Sequence, residues 1–198
     1  MWRQALRVQH LLFYALLASA IFTLALWLGR AAQPLAELQD WQVRLLDPLA
    51  DARLRLVTLQ EVQAGQLWLQ AGQPQARLLW RAEQAGWRLQ AELQWSASWA
   101  ERLQPVLAGM AADAEQALTG EWPVQWAELP VSSLSLQPLH SVSAEQLAAS
   151  LGKPRLRLEL SEGLAWVYPQ WALTAQLVDE QVQGLLAQPR RSWREQPL

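Results

Sequence analysis

Residues 87–95 read WRLQAELQW: Trp87, Leu89, Ala91, Leu93 and Trp95 alternate with Arg88, Gln90, Glu92 and Gln94. A period of two sends one row to a core and the other to water, the signature of a one-sided strand. Working back from it, Gln84-Ala85-Gly86 suits a hairpin connection to a strand over Gln75–Glu83. A further strand is expected at Gln66–Gln70, on the far side of Gly72 and Pro74. Working forward, Ser98-Trp99-Ala100-Glu101 has the spacing of a capping box, in which serine and glutamate satisfy free backbone donors. Behind it, Trp99, Leu103, Val106, Leu107, Met110, Ala114 and Leu118 form a helical apolar stripe. Pro105 kinks or shortens that helix, and Gly120 ends it.

Trp122, Val124 and Trp126 alternate as another strand, followed by one around Ser133–Leu136. Ser143 to Gln146 is a second capping box, opening a short helix that stops at Gly152-Lys153-Pro154. Leu156, Leu158 and Leu160 alternate with Arg155, Arg157 and Glu159 as a strand, and Ser161-Glu162-Gly163 turns into Leu164–Tyr168. The stretch from Trp171 to Leu186 reads two ways. Its first half alternates like a strand, whereas Leu177, Val182, Leu185 and Leu186 fit a helix, the reading favoured for the second half. Interleaved short strands and helices predict an α+β domain over 64–188, a small antiparallel or mixed sheet packed with helices rather than a doubly wound parallel sheet. The end, 189–198, carries Arg190, Arg191 and Arg194 and reads as a disordered tail.

Two segments precede that domain. Leu11 to Leu28, LLFYALLASAIFTLALWL, has no charge. At about 1.5 Å per residue it would span roughly 27 Å, close to the hydrocarbon thickness of a bilayer. Arg3 and Arg7 stand before it, and Trp2, Tyr14 and Trp27 lie near its ends. The expectation is a transmembrane anchor over 11–29, touching membrane lipid through 11–28, with 1–10 cytoplasmic and the remainder exported. A signal peptide cleaved after Ala18-Ser19-Ala20 would leave the apolar Ile21–Leu28 as a new N-terminus, which favours the uncleaved anchor. From Leu35, the residues Leu38, Gln42, Leu45, Leu49, Ala52, Leu56 and Leu59 follow at steps of three and four, a heptad seam within 30–63. Pro48 interrupts it, so helices are expected near 33–46 and 48–63, with Asp47 capping the second. One reading is a coiled-coil stalk whose Leu38, Leu45, Leu49 and Leu56 meet a partner. The other is an amphipathic helix pair folded onto its own domain.

Composition narrows the chemistry. The 198 residues include no cysteine, which excludes disulfides, thiolate metal sites and cysteine nucleophiles. Residues 31–189 carry 10 basic and 17 acidic side chains, a net of −7 that would repel phosphates, so no nucleic-acid partner is expected. Of two histidines, His10 lies at the edge of the apolar run and His140 stands beside Ser141 without a G-x-S-x-G elbow. No H-E-x-x-H, Gly-rich phosphate loop or clustered His/Asp/Glu set occurs, so neither a catalytic residue nor a cofactor or metal is expected. Asp47 and Asp51, one helical turn apart, suit a helix N-terminus better than acid–base work. An envelope hydrolase would need unexpected convergence on His140. The thirteen Trp are the unusual count; Trp80 and Trp126 are candidate partner contacts, since Trp commonly anchors interfaces.

The layout of a basic N-terminus, one anchor, a heptad-like stalk and a compact α+β domain resembles the inner-membrane platform proteins of type IV pilus and type II secretion machines, the PilO/GspM-like group. The local pattern of Leu79-Trp80, Gly86-Trp87-Arg88-Leu89, Leu93-Gln94-Trp95 and the helix from Trp99 to Leu107 is similar to the HofO type within it. Pro48 and the segment from Leu164 onward depart from a minimal ferredoxin-like domain. The resemblance implies a non-enzymatic scaffold in a bacterial inner membrane, with its C-terminal domain in the periplasm. It implies no cofactor, and homo- or heterodimers with other single-pass assembly subunits. A membrane-anchored periplasmic chaperone, or a lipid- or glycan-binding module with a Trp-lined groove, is the alternative expectation.

Overall fold

The computed structural model describes residues 14, 16–23, 32–72, 76–96, 99, 101, 103, 107, 109–111, 114–119 and 123–191. The chain divides into two units, 1–33 and 34–198. In the first, residues 16–23 are helical, and the Thr23 hydroxyl donates to the Ser19 and Ala20 carbonyls at 2.9 and 3.0 Å. No helix among the described residues is long and apolar enough to cross a membrane. That finding overturns the expected single-pass anchor over 11–29 and the inner-membrane localisation built on it. The rest of that run (11–13, 15 and 24–29), like residues 1–10, lies outside the described residues.

The second unit is built on a nine-stranded sheet. Its strands are β1 Gln66–Gln70, β2 Arg77–Gln84, β3 Trp87–Leu93, β4 Glu115–Leu118, β5 Val131–Pro138, β6 Leu156–Glu159, β7 Leu164–Tyr168, β8 Leu173–Val178 and β9 Gln181–Ala187. They lie in the order β4-β1-β2-β3-β5-β9-β8-β7-β6, every pair antiparallel. Two meanders, β1–β3 and β6–β9, are joined where Leu134, Ser135 and Leu136 face Ala187, Leu186 and Leu185. The fold is therefore mostly sheet with a few short helices, which corrects the expected α+β architecture of transmembrane helix, helical stalk and small ferredoxin-like sheet.

Alternation explains how the sheet holds together. Leu67, Trp80, Ala91, Leu134, Ala187, Leu173 and Tyr168 stand opposite one another in turn, a buried row running through seven strands. The Ala85-Gly86 and Asp179-Glu180 turns have both residues at positive φ, the backbone whose twist suits a two-residue hairpin. Asp179-Glu180 falls inside the stretch favoured as a helix. It is instead the β8–β9 hairpin, and a register shift at Gln176/Leu177 brings Val182 and Leu185 into the same core three residues apart. An irregular strand thus imitates helical spacing. Glu115–Leu118, expected at a helix end, is the edge strand β4, and Val124–Glu128, expected as strand, is a 3-10 turn. Ser98 and Trp122 lie outside the described residues.

The heptad segment packs onto this sheet. Helix α1 (Ala36–Trp41), a π-helical turn (Gln42–Leu46) and α2 (Asp47–Ala50) run continuously, and the Asp47 N–H reaches back to the Gln42 carbonyl. Ala52, at φ 58°, then turns the chain, and Leu54 and Leu56 exchange backbone hydrogen bonds of 3.1 and 3.0 Å with Val131 and Leu129 before α3 (Leu56–Val62). Leu38, Leu45 and Leu49 are 0% exposed and Leu56 is 1%. They share one core with Trp80, Trp87 and Leu89, and Trp41 meets Trp87 edge to face at 6.2 Å. A coiled coil needs its seam open to another helix; here the sheet fills it, so the stalk over 30–63 is corrected to the self-packed helices of the alternative reading. Helix α4 (Ala144–Leu151) opens on the expected Ser143–Gln146 capping box. Its Ser150 accepts from the Leu35 N–H at 2.7 Å and, through its carbonyl, from the Gln42 amide at 2.9 Å.

Candidate interaction surface

The polar residues that invited a chemical reading are engaged in structure. His140 is exposed in the turn after β5, over Gly86. Ser141 donates to the Gln181 side-chain carbonyl, and among the described residues no acid pairs with the histidine as a triad would require. Asp47 does not cap a helix; its carboxylate accepts from the Trp171 indole at 2.9 Å. Asp51 is shared by Arg53 at 2.9 Å and Arg190 at 3.4 Å, at a pocket of about 460 Å³ lined by Ala50, Asp51, Ala52, Arg53, Arg190 and Arg191. Arg190 also donates to the Gln170 carbonyl, so the expected loose tail is held at its first basic residue. Among the described residues no three His, Asp or Glu side chains converge as a metal set.

The six expected contact residues are all buried. Leu38, Leu45, Leu49 and Leu56 fill the core between helices and sheet, and Trp80 lies so close to Gly65 that a Cβ there would come within 2.3 Å of its ring. Trp126, 7% exposed, meets Trp99 edge to face at 5.6 Å. None of these side chains is available to a partner, and neither indole offers a ring for a lipid or sugar to stack on.

The surface worth attention is the outer face of the sheet, opposite the core. Across β4, β1, β2 and β3 its charged residues are paired with one another, around Trp68 and the buried Leu79. Arg81 on β2 makes a two-pronged bond to Glu115 on β4 at 2.6 and 2.7 Å. It donates to Gln90 on β3 at 2.8 Å and lies over the Trp68 ring of β1 at 5.3 Å. The paired carboxylate holds the Arg81 guanidinium above its ordinary range, and the same bond holds Glu115 below the usual carboxylate range. Arg77–Glu92 and Arg88–Glu83 pairs continue this pattern.

Across β6 to β9 the outer face carries exposed leucines together with Thr174 and Gln176. Leu156, Val167, Thr174 and Leu186 stand opposite one another, and Leu158, Ala165, Gln176 and Gly184 form the next row. Leu156, Leu158, Leu160 and Leu186 are 44–49% exposed and Val178 is 38%. Isolated exposed leucines are ordinary, but several on one half-face make it the candidate contact surface. The alternation of β6 left open which of its rows meets the core; the core row at this end of the sheet is held by Trp166 and Tyr168 on β7. Arg157, on that side, lies over the Trp166 ring at 4.6 Å. Burial pushes the Tyr168 phenol up to about 12 against the opposing pull of Arg157. The signal for this surface was the RLRLEL alternation itself, whose period was legible and whose phase was not. No family model matches the chain, and neither a curated protein nor a solved structure matches it.

Proposed function

We propose that this chain is a non-enzymatic assembly subunit acting through protein–protein contacts, with the outer face of β6–β9 as its docking surface. The observation that carries the reading is the division of one sheet face. Its β1–β4 half has three internal ion pairs, while its β6–β9 half presents Leu156, Leu158, Val178 and Leu186 to solvent. Apolar side chains grouped this way release water on docking, at roughly 25 cal/mol per Å² covered. The resemblance of Leu79–Leu107 to the PilO/GspM-like group supports a place in a type IV pilus- or type II secretion-like assembly, and that finer statement rests on the resemblance alone.

The test is co-purification with the tagged full chain from its native cells, compared with Leu186→Glu. This substitution puts a charge into the docking half-face without touching the core row. The expected result is a reproducible set of assembly subunits retained by the wild-type chain and depleted at least about tenfold by the variant, the effect of burying one unpaired charge at an interface. Capture unchanged by Leu186→Glu, or no subunit retained by the wild-type chain, refutes the reading.

A further inference from the structure

We propose that β6 is a self-recognition edge: two copies of this chain pair antiparallel through Leu156–Leu160, on a two-fold axis at Leu158. β6 is the last strand of the sheet order, and among the described residues its outer side has no neighbour. Every residue from Leu156 to Glu159 is exposed, and no proline or bulge interrupts the strand. Natural sheets restrict such edges with short strands and with charge, and β6 carries both: it is four residues long, with Arg157 on the core side over the Trp166 ring. Such charge excludes indiscriminate pairing and admits the register in which it is matched.

The sequence of the edge identifies its occupant. Residues directly opposite in an antiparallel pair lie on the same face. With the axis at Leu158, Leu158 meets its own copy and Leu156 meets the other copy's Leu160 on the outer face. On the opposite face, Arg157 meets the other copy's Glu159, twice by symmetry. Moving the axis one residue, to Arg157 or to Glu159, sets two like charges directly opposite each other, which is destabilising. Among the described residues neither Arg157 nor Glu159 forms an ion pair within its own chain. The charge pattern is self-complementary in one register, as an isologous two-fold interface requires. The second edge, β4, reads EQAL and has no such symmetry; its Glu115 is already taken by Arg81. Because β6 is short, the interface belongs to the small, concentration-dependent class rather than to obligate dimers.

The inference deepens the proposed protein-contact function and names one partner, yet it fails separately. A chain that dimerises and captures no other subunit upholds it, and a chain that captures subunits as a monomer refutes it. The absence of cysteine makes the register directly readable. Opposed residues have Cα atoms about 4.5–5.5 Å apart, within the range a disulfide spans. Under mild oxidation the full chain carrying Leu158→Cys is expected to cross-link to itself. Leu156→Cys chains are expected to cross-link only when mixed with Leu160→Cys chains. In sedimentation equilibrium the wild-type chain should approach twice its monomer mass as concentration rises. Glu159→Arg, which replaces both Arg–Glu contacts with Arg–Arg, should weaken this association about tenfold or more. Mixing Glu159→Arg with Arg157→Glu chains should restore it, since each Arg then faces a Glu. A wild-type chain that stays monomeric, a Leu156→Cys chain that links to itself as fast as Leu158→Cys, or a mixture no tighter than its components overturns the proposal.

Discussion

Replacing Leu45 by alanine separates a buried seam from an open one. Leu45 is 0% exposed and packs in the cluster that contains Trp80 and Leu89, whereas Val43, two residues earlier in the same π-helical turn, is 69% exposed. Leu45→Ala deletes three carbon groups, about 2.4 kcal/mol of lost transfer free energy at about 0.8 kcal/mol each. The cavity left between helix and sheet raises the cost to roughly 3–4 kcal/mol. With a urea dependence of about 2 kcal/mol per M, the unfolding midpoint falls by about 1.5–2 M. Val43→Ala, which opens no cavity, should stay within about 0.5 kcal/mol of the parent. The assay is urea unfolding followed by Trp fluorescence, run at two protein concentrations tenfold apart. In a coiled-coil stalk Leu45→Ala would weaken an association, and its shift relative to the parent would change with concentration, whereas pairing through β6 moves both midpoints together. Equal shifts for the two variants, or a Leu45→Ala shift that depends on concentration, would refute the self-packed assignment.

Two further outcomes follow from the same packing and pairing. Gly65→Ala forces a Cβ within 2.3 Å of the buried Trp80 ring, so thermal unfolding should show a loss of about 1–3 kcal/mol, and the same change made in a Trp80→Leu background should cost less. For Glu115, held below its ordinary value of 4.5 by the bond to Arg81, the folded chain binds the proton less readily than the unfolded one. Its contribution is complete above about pH 4.5 and is lost as pH falls through the lowered value. Glu115→Gln should therefore cost about 1 kcal/mol or less at pH 7, and its melting temperature should converge with the parent's in acid; a gap that does not narrow as the pH falls below 4.5 refutes this.

The local alphabet of the sheet was readable. WRLQAELQW specified β3, the Gln84–Gly86 turn specified its hairpin, and Ser143 with Gln146 specified the start of α4, because each signal is carried by near neighbours. Readings that needed a partner to be named went wrong. Leu38, Leu45, Leu49 and Leu56 have the spacing of any helix with one greasy face, and nothing in that spacing says whether a second helix or a sheet will cover it. Val182 and Leu185 looked helical because a register shift in the β8–β9 pair is a property of two strands, invisible in one.

By itself the sequence determined periods, turns and caps, since these depend on side-chain direction and backbone freedom over a few residues. The tertiary structure alone decided phase and neighbourhood. Leu156 and Leu158 face outward only because Trp166 and Tyr168 on the adjacent strand occupy the core row, and Arg157 has a ring to lie over on the other side. A period of two is the same pattern whichever face is buried. Burial is settled by contacts between segments far apart in the chain, and the candidate surface could appear only once those contacts had formed.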